Sequence, residues 1–379
     1  MPQVELTTLT PVHVGNGNFL QKNVEFVQMN YEGGLSAGII DDHKVLAIID
    51  EDRINDWVSL IENRGNLVEF IKIRKHDLSL DEISRRIMVI DADFQEFESL
   101  KEHIHNGEGR PYIPGSSLKG ALRSAVFNQE IRRLGKPVTK QKLISTNRKN
   151  EQVASAKTLE DELFGKDPKE DVFRFLRVGD AYFAKGDTVA LDLKSLNIVR
   201  DGDKVILDRK VHQLTEVIDA DIKANLSLKL NSGLLDINNA KGYINKKSPW
   251  LADLSALFKL VNKNTVQILS EEIEFWEPDE QRFEPVEQYL SQLSDIKTIA
   301  DKCTEDECIT RLGHGVGWTF INGAWVENED ILSDDIYREL VQIIRHNKFR
   351  YENYPFPKTR RVADSDNIEL LGFVKLKII

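Results

Sequence analysis

Val4, Leu6 and Thr8 alternate with Glu5 and Thr7, the two-residue period of a half-buried strand. The pattern predicts a strand over Val4–Leu9, ended by Pro11 and the turn Gly15-Asn16-Gly17. Asn23–Met29, Lys44–Ile49 and Ile83–Ile90 read as further strands. Ile54, Trp57, Val58 and Ile61 recur at helical spacing and predict a helix over Asp52–Asn63. Leu67–Ile73 and Phe94–Ile104 fit either type. Glycines and prolines mark Gly107–Gly115 as loop, and a helix is expected from Ser116 to about Leu134. Asn147–Leu163 is polar and turns helical towards its end. Phe173–Phe183, Thr188–Val199 and Val205–Leu207 read as strands, with Asp201-Gly202-Asp203 as a turn. Pro249–Leu260, Pro285–Ile299 and Asp334–Arg345 read as helices, and Leu370–Ile379 as a closing strand. The order is not a regular βαβα series, so the expected class is α+β rather than a doubly wound parallel sheet.

Composition narrows the function classes. The 379 residues are 41% hydrophobic and 30% charged, as in a folded globular chain. Two cysteines exclude a disulfide framework and argue against a cysteine-rich metal site. Cys303 and Cys308 read as ordinary thiols, and His103 and His105 as solvent-exposed histidines. No apolar run approaches the roughly 20 residues of a membrane span, and no secretory signal is visible. A cytoplasmic protein with no membrane partner, no metal and no cofactor is expected.

The net charge of −11 excludes a uniformly basic coat, but the charge is segregated. Arg110–Lys149 holds ten Lys or Arg against one acid, Glu130, and Val341–Arg361 holds six against Glu352. Glu271–Cys308 carries thirteen acids and three bases. Two basic islands in an acidic chain point to a localised polyanion track, with the acidic parts facing solvent or basic partners. Solvated faces are the plain alternative.

Three stretches carry candidate chemistry. In Tyr112–Arg123, Leu118, Leu122, Ala125 and Val126 form the buried stripe of a helix, and Ser116, Lys119 and Arg123 form a second stripe. Ser116 or Ser117 is placed to cap the helix. A hydroxyl and two cations beside a helix N-terminus make a phosphate cradle. The Lys precedes its Gly, so this is not a Walker A loop, and a capped helix with an exposed basic side remains open. In Arg311–Trp318, the alternate glycines Gly313, Gly315 and Gly317 permit positive φ and an anion nest, with Arg311 and His314 as added donors. A tight turn between elements is the other reading. In Thr10–Gly17, His13 and Gly15 close the first strand, and His13 is either an acid–base group or a structural histidine.

These stretches together resemble the RAMP superfamily of CRISPR-associated proteins. The resemblance runs through Leu9–Gly17, Ile113–Arg123, Phe175–Ala181, Gly313–Gly317 and Leu371–Leu376. Their order and spacing are most similar to the Csm-type subunit at the 3′ end of the guide RNA in type III-A effector complexes. The resemblance implies a ferredoxin-like (RRM-like, βαββαβ) core with large insertions and a mixed, partly helical second region. Residues 1–200 would form that core, with 365–379 returning as its last strand and 201–364 as the second region. It implies a non-catalytic subunit that caps the backbone filament and supports maturation of the guide's 3′ end in antiviral defence. The implied partners are guide RNA (crRNA), the adjacent Csm backbone subunit, the small subunit, host nucleases and, indirectly, target RNA. The implied RNA-binding residues are His13, Gly15, Ser116, Ser117, Lys119, Arg123, Arg311, Gly313, His314 and Gly315.

Rival readings stay open. A metal-independent RNA endonuclease would use His13 or His314 as base and Lys119 or Arg311 to steady the phosphorane. A metal-dependent cut through Asp180 ranks last, since one carboxylate makes a weak metal site. A repeated backbone subunit of the same complex is a further alternative.

Overall fold

The first strand, Gln3–Thr8, buries Val4 and Leu6 completely, as its alternation requires. In the computed structural model, which describes residues 3–92, 96–198, 205–208, 212–231, 248–278, 283–326, 328–345 and 356–379, this strand is central to a five-stranded antiparallel sheet. The order across that sheet is Leu176–Val178, Lys223–Leu230, Gln3–Thr8, Phe373–Ile378 and Glu307–Arg311. The helices Gly115–Arg133 and Leu254–Trp276 pack Leu118, Leu122 and Val126, and Leu257, Phe258 and Val261, into one cluster with Val4, Leu6, Leu226 and Leu376. Along the chain this gives strand, helix, two strands, helix, strand, with the spatial order 2-3-1-4. That is the order of a ferredoxin-like βαββαβ unit. Glu307–Arg311 adds a fifth strand beyond the last, so strands of this sheet come from both sides of the division expected near residue 200.

A second, larger sheet is built around the 11-residue strand Thr188–Ile198. This strand pairs with Leu214–Ile218, Ser84–Asp91, Val205–Asp208 and Thr359–Asp364. Ser99–His103 pairs with Leu214–Ile218 on one side and Gly15–Gln21 on the other. Among the described residues no helix is long and apolar enough to cross a membrane.

Local chemistry explains where the elements depart from expectation. Lys44–Ile49 is not a strand but part of the helix Asp42–Ile49. Asp41 caps it by accepting from the His43 and Lys44 amides, and Val45 and Ile49 bury one helical face. Leu67–Lys72 is helical, capped by Asn66, and Ser99–His103 is a strand. Phe173–Phe183 opens with a 3-10 turn, Val172–Phe175, and is interrupted at Gly179 and Asp180 between two short strands. The turn expected at 201–203 lies outside the described residues.

The helix at Gly115–Arg133 starts one residue early, and neither Ser116 nor Ser117 caps it. Asp180 does so from another segment, accepting from the Gly115 amide at 2.8 Å. A Cβ on Gly115 would lie 2.3 Å from the Val178 carbonyl oxygen, so only glycine admits this approach.

Candidate nucleic-acid interface

The two sheets join where Leu9–Val14 leaves the first strand. Val12 and Ile218 exchange backbone hydrogen bonds of 2.9 and 2.8 Å. Gly372 donates to the Pro11 carbonyl, Leu312 to the Gly372 carbonyl and His314 to the His13 carbonyl, each at 2.8 Å. The first and last strands of the core and the glycine-rich loop are thus stitched into one junction.

This junction brings together five of the ten residues named from sequence: His13, Gly15, Gly313, His314 and Gly315. Gly313 has φ +93, and a Cβ there would lie 2.4 Å from the His13 carbonyl oxygen. Gly315 has φ +85, and a Cβ there would lie 3.0 Å from Leu371 Cδ1 and 3.3 Å from Arg361 Cβ. His13 is 1% exposed and its Nδ1 donates to the Glu216 carbonyl at 2.6 Å. A Cβ on Gly15 would sit 2.8 Å from His13 Nε2, so the absent side chain makes room for the ring. The His314, His13, His103 and His105 rings run in series, with centroids 5.8, 5.8 and 5.9 Å apart.

His103 and His105 are not solvent-exposed as expected. His103 is fully buried, accepting from the Val14 amide and donating to the Tyr112 carbonyl. His105 Nδ1 donates to the His103 carbonyl, and its Nε2 lies 3.2 Å from Glu216 Oε1.

Two residues that sequence reasoning missed complete the junction. Lys101 arrives on Ser99–His103 and Arg361 on Thr359–Asp364. Neither has a carboxylate within ion-pair distance among the described residues. The nitrogens His13 Nε2, His314 Nε2 and Arg361 Nη1 are buried and lack hydrogen-bond partners there. Burial pulls His314 down to about 4, and the charges of Lys101 and Arg361 add to the shift. His13 is also lowered to about 4 by burial, against the Glu216 bond and with help from Lys101 and His314. Burial, then Arg361, holds Lys101 below the usual lysine range. The junction thus holds two cations, Lys101 and Arg361, that have no ion pair among the described residues. The second basic island was the available signal for Arg361. Strand alternation splits its pair, sending Arg360 inward to Glu272 and leaving Arg361 beside the loop.

Arg311 is a correction. It is 6% exposed, its Nε donates to the Leu371 carbonyl, and its guanidinium lies 4.5 Å from the Phe320 ring centre and 4.7 Å from that of Phe373. It braces the core beneath the loop, and its Nη1 is buried without a hydrogen-bond partner among the described residues.

Ser116, Ser117, Lys119 and Arg123 lie elsewhere. Ser116, Lys119 and Arg123 line an open cleft of about 550 Å³ with Lys157, Lys166, Glu160, Asp167 and Asp171, and Ser117 is half-buried beside them in the first helical turn. Lys119 Nζ donates to the Leu176 carbonyl, and Arg123 Nη1 donates to both oxygens of Asp171 at 3.0 Å. The Arg123 guanidinium also covers the Phe164 ring at 4.1 Å. Its charge is spent internally, so the stripe is not the open phosphate cradle expected.

The same holds for much of the first basic island. Arg132 pairs with Glu271, Lys140 with Glu339 and Lys142 with Glu162. The acidic run therefore does not simply face solvent. Glu271 meets a basic partner within the chain, and Glu272 is buried against Arg360.

The RAMP superfamily model matches residues 5–322, most of the chain. The protein belongs to the RAMP superfamily. This RAMP chain is 27% identical over 209 residues to the CRISPR system Cms protein Csm5 of Methanocaldococcus jannaschii, a stretch covering 52% of the chain and 46% of that relative. It thus spans about half the length of the relative it matches. Its fold is similar to a chain of a type III-A Csm–crRNA–target RNA ternary complex solved by cryo-EM, with TM-score 0.68, 18% identity and full coverage of both chains. It is also similar to the crystal structure of T. onnurineus Csm5, with TM-score 0.65, 18% identity and coverage of 98% and 99%. The fold of this RAMP protein is therefore the mixed α+β architecture of those chains.

Proposed function

We propose that this RAMP chain is a guide-RNA-binding subunit of a type III-A Csm effector complex, capping the backbone filament at the crRNA 3′ end without cutting RNA itself. The observation that carries the binding role is the junction at His13, Gly313 and His314, where Lys101 and Arg361 lack counter-charges. Such a site attracts a polyanion without reading bases. Likeness of fold along the whole chain to a subunit of a crRNA-containing assembly supports the same reading. The adjacent backbone subunit, the small subunit and host nucleases that trim the guide follow as proposed partners, and target RNA is met indirectly.

The chemistry of the histidines favours binding over cleavage. A general acid or base works best with a pKa near the operating pH. His13 and His314 are held near 4, and His13 is enclosed, with its Nδ1 proton committed to Glu216. Asp180 Oδ1 caps the helix by accepting from the Gly115 amide, and a single carboxylate makes a weak metal site.

Purified protein incubated with end-labelled RNA, with and without Mg²⁺, tests this. The RNA should shift intact in both conditions. Shortening that disappears in His13→Ala or His314→Ala would establish the endonuclease instead.

A further inference from the structure

We infer that the cavity walled by Trp318, Trp325 and the helix Asp334–Ile344 is a docking pocket for a short acidic and apolar segment of a partner protein. The segment seats one bulky apolar side chain in the pocket and carries Asp or Glu a few residues away. This surface is separate from the RNA junction and uses none of its residues.

The first observation is concavity. The strands Ile144–Thr146 and Gln152–Ala154 pair as a hairpin beside the helix Asp334–Ile344. Together with Trp318 and Trp325 they surround about 430 Å³. That lies within the roughly 300–1,000 Å³ of pockets that take a ligand. The helix turns one face towards it, since Tyr337, Leu340, Val341 and Ile344 recur at helical spacing and all line the cavity. The first three are buried, but Ile344 is 41% exposed, so the apolar stripe continues out of the core into the opening. The Tyr337 hydroxyl donates to the Phe356 carbonyl at 2.7 Å, which leaves its ring as a wall.

The second is an unpartnered donor. Trp325 is 2% exposed, and its Nε1 has no hydrogen-bond partner among the described residues. A buried indole N–H ordinarily finds an acceptor. An apolar side chain cannot supply one, whereas the main-chain carbonyl of a docked peptide can. The walls are otherwise carbon, as at Leu143, Ala154 and Val326. The polar lining residues Ser155, Lys157 and Glu160 are exposed or half-buried and stand at the rim. A nucleobase would set its polar edges against those walls without partners, a desolvation cost that an apolar side chain does not meet. The lining therefore favours protein over nucleic acid.

The third is charge. Most of the first basic island is matched within the chain here, with Lys140 on Glu339, Lys142 on Glu162 and Lys157 near Asp161. Arg148 and Lys149, in the turn of the hairpin, are exposed and have no ion pair among the described residues. Arg148 is five residues beyond Leu143, so at about 3.3 Å per residue the turn lies roughly 10–15 Å from the pocket. Three to five residues of extended peptide cover that distance. Two unmatched cations at this reach favour acidic residues flanking the anchor and disfavour a basic segment.

Selection of a random-peptide library on the full-length chain tests the assignment. Binders should converge on one bulky apolar residue with Asp or Glu about three to five positions away. The tightest selected peptide, fluorescently labelled, then reports affinity. Arg148→Ala combined with Lys149→Ala should weaken it about threefold to tenfold, and less at high salt. Ile344→Glu puts a carboxylate in the opening and should weaken it at least about tenfold. These positions are exposed, so melting temperatures should stay within about 2 °C of wild type. In protein labelled with ¹⁵N-tryptophan, the peptide should move the indole signal that Trp325→Phe removes.

No convergent peptide, or a selected peptide that binds the Ile344→Glu variant as tightly as wild type, would overturn the pocket. Displacement of the peptide by a single-stranded RNA that itself moves the Trp325 signal would make this a nucleic-acid site. Dimerisation of the wild type that Ile344→Glu abolishes would make it a contact between copies. Either result would overturn the partner-protein assignment.

Discussion

Replacing Gly313 by alanine is the sharpest single perturbation of the junction. Gly313 sits at φ +93, where an L side chain is strained by roughly 1–3 kcal/mol. The added Cβ would also lie 2.4 Å from the His13 carbonyl oxygen, a backbone atom that no rotamer change removes. Relief demands a shift of about 1 Å, and that carbonyl is the acceptor for the His314 amide at 2.8 Å. Loss of this bond adds about 1 kcal/mol. The total is about 2–4 kcal/mol. With an unfolding entropy of roughly 2.1 cal/mol/K per residue, a chain of this length loses about 3–5 °C of melting temperature.

Gly317 is the internal control. Its φ is +81, but a Cβ there meets nothing within 4 Å, so Gly317→Ala carries the strain without the collision. Thermal unfolding and RNA anisotropy on both variants separate the two terms. Gly313→Ala should weaken RNA at least about tenfold, the equivalent of one lost charge-assisted contact. Gly317→Ala should stay within about twofold of wild type, below 0.5 kcal/mol on the same scale. Equal RNA affinities for the two variants would refute the link between loop geometry and binding.

Acid should destabilise the free protein. The folded chain holds His13 near 4 against an ordinary 6.5, so stability is complete above about pH 6.5 and is lost as pH falls towards 4. This residue alone accounts for about 3 kcal/mol, and denaturant midpoints for His13→Gln should show a flatter acid limb than wild type. Arg123→Ala should lower the melting temperature through its lost Asp171 bonds and Phe164 contact while leaving the RNA salt slope unchanged; a flatter slope would reinstate that helix face as a phosphate contact. Glu272→Ala removes the carboxylate reached by Arg360, Tyr289 and Trp276, and should cost about 3–5 kcal/mol in denaturant titrations; a loss below about 1 kcal/mol would show that the buried network relaxes freely.

The parts of the fold legible in the sequence are those governed by local periodicity. The alternation at Val4 and Leu6 and the stripe of Leu118, Leu122 and Val126 each specify a buried face without reference to the rest of the chain. The meeting of His13 with Gly313 and His314 was legible only as two motifs of similar chemistry, because both lie at the ends of core strands. The partners were not legible. Lys101 and Arg361 reach the loop through strand pairings with Thr215 and Ser195, and long-range register leaves no local signature. The same blindness made Arg123 and Arg311 look available. Their partners, Asp171 and the Leu371 carbonyl, are 48 and 60 residues away. Lys44–Ile49 departs from the expected strand because a short apolar run is compatible with either type, and the capping role of Asp41 decides for the helix.

The most direct test of the central claim is photocrosslinking of guide RNA within the purified native assembly, followed by peptide mapping on this chain. Crosslinks should concentrate in 12–17, 99–105 and 311–317, on intact guide RNA. Crosslinks confined to the Ser116–Arg123 cleft, or none on this chain at all, would contradict RNA binding at the junction.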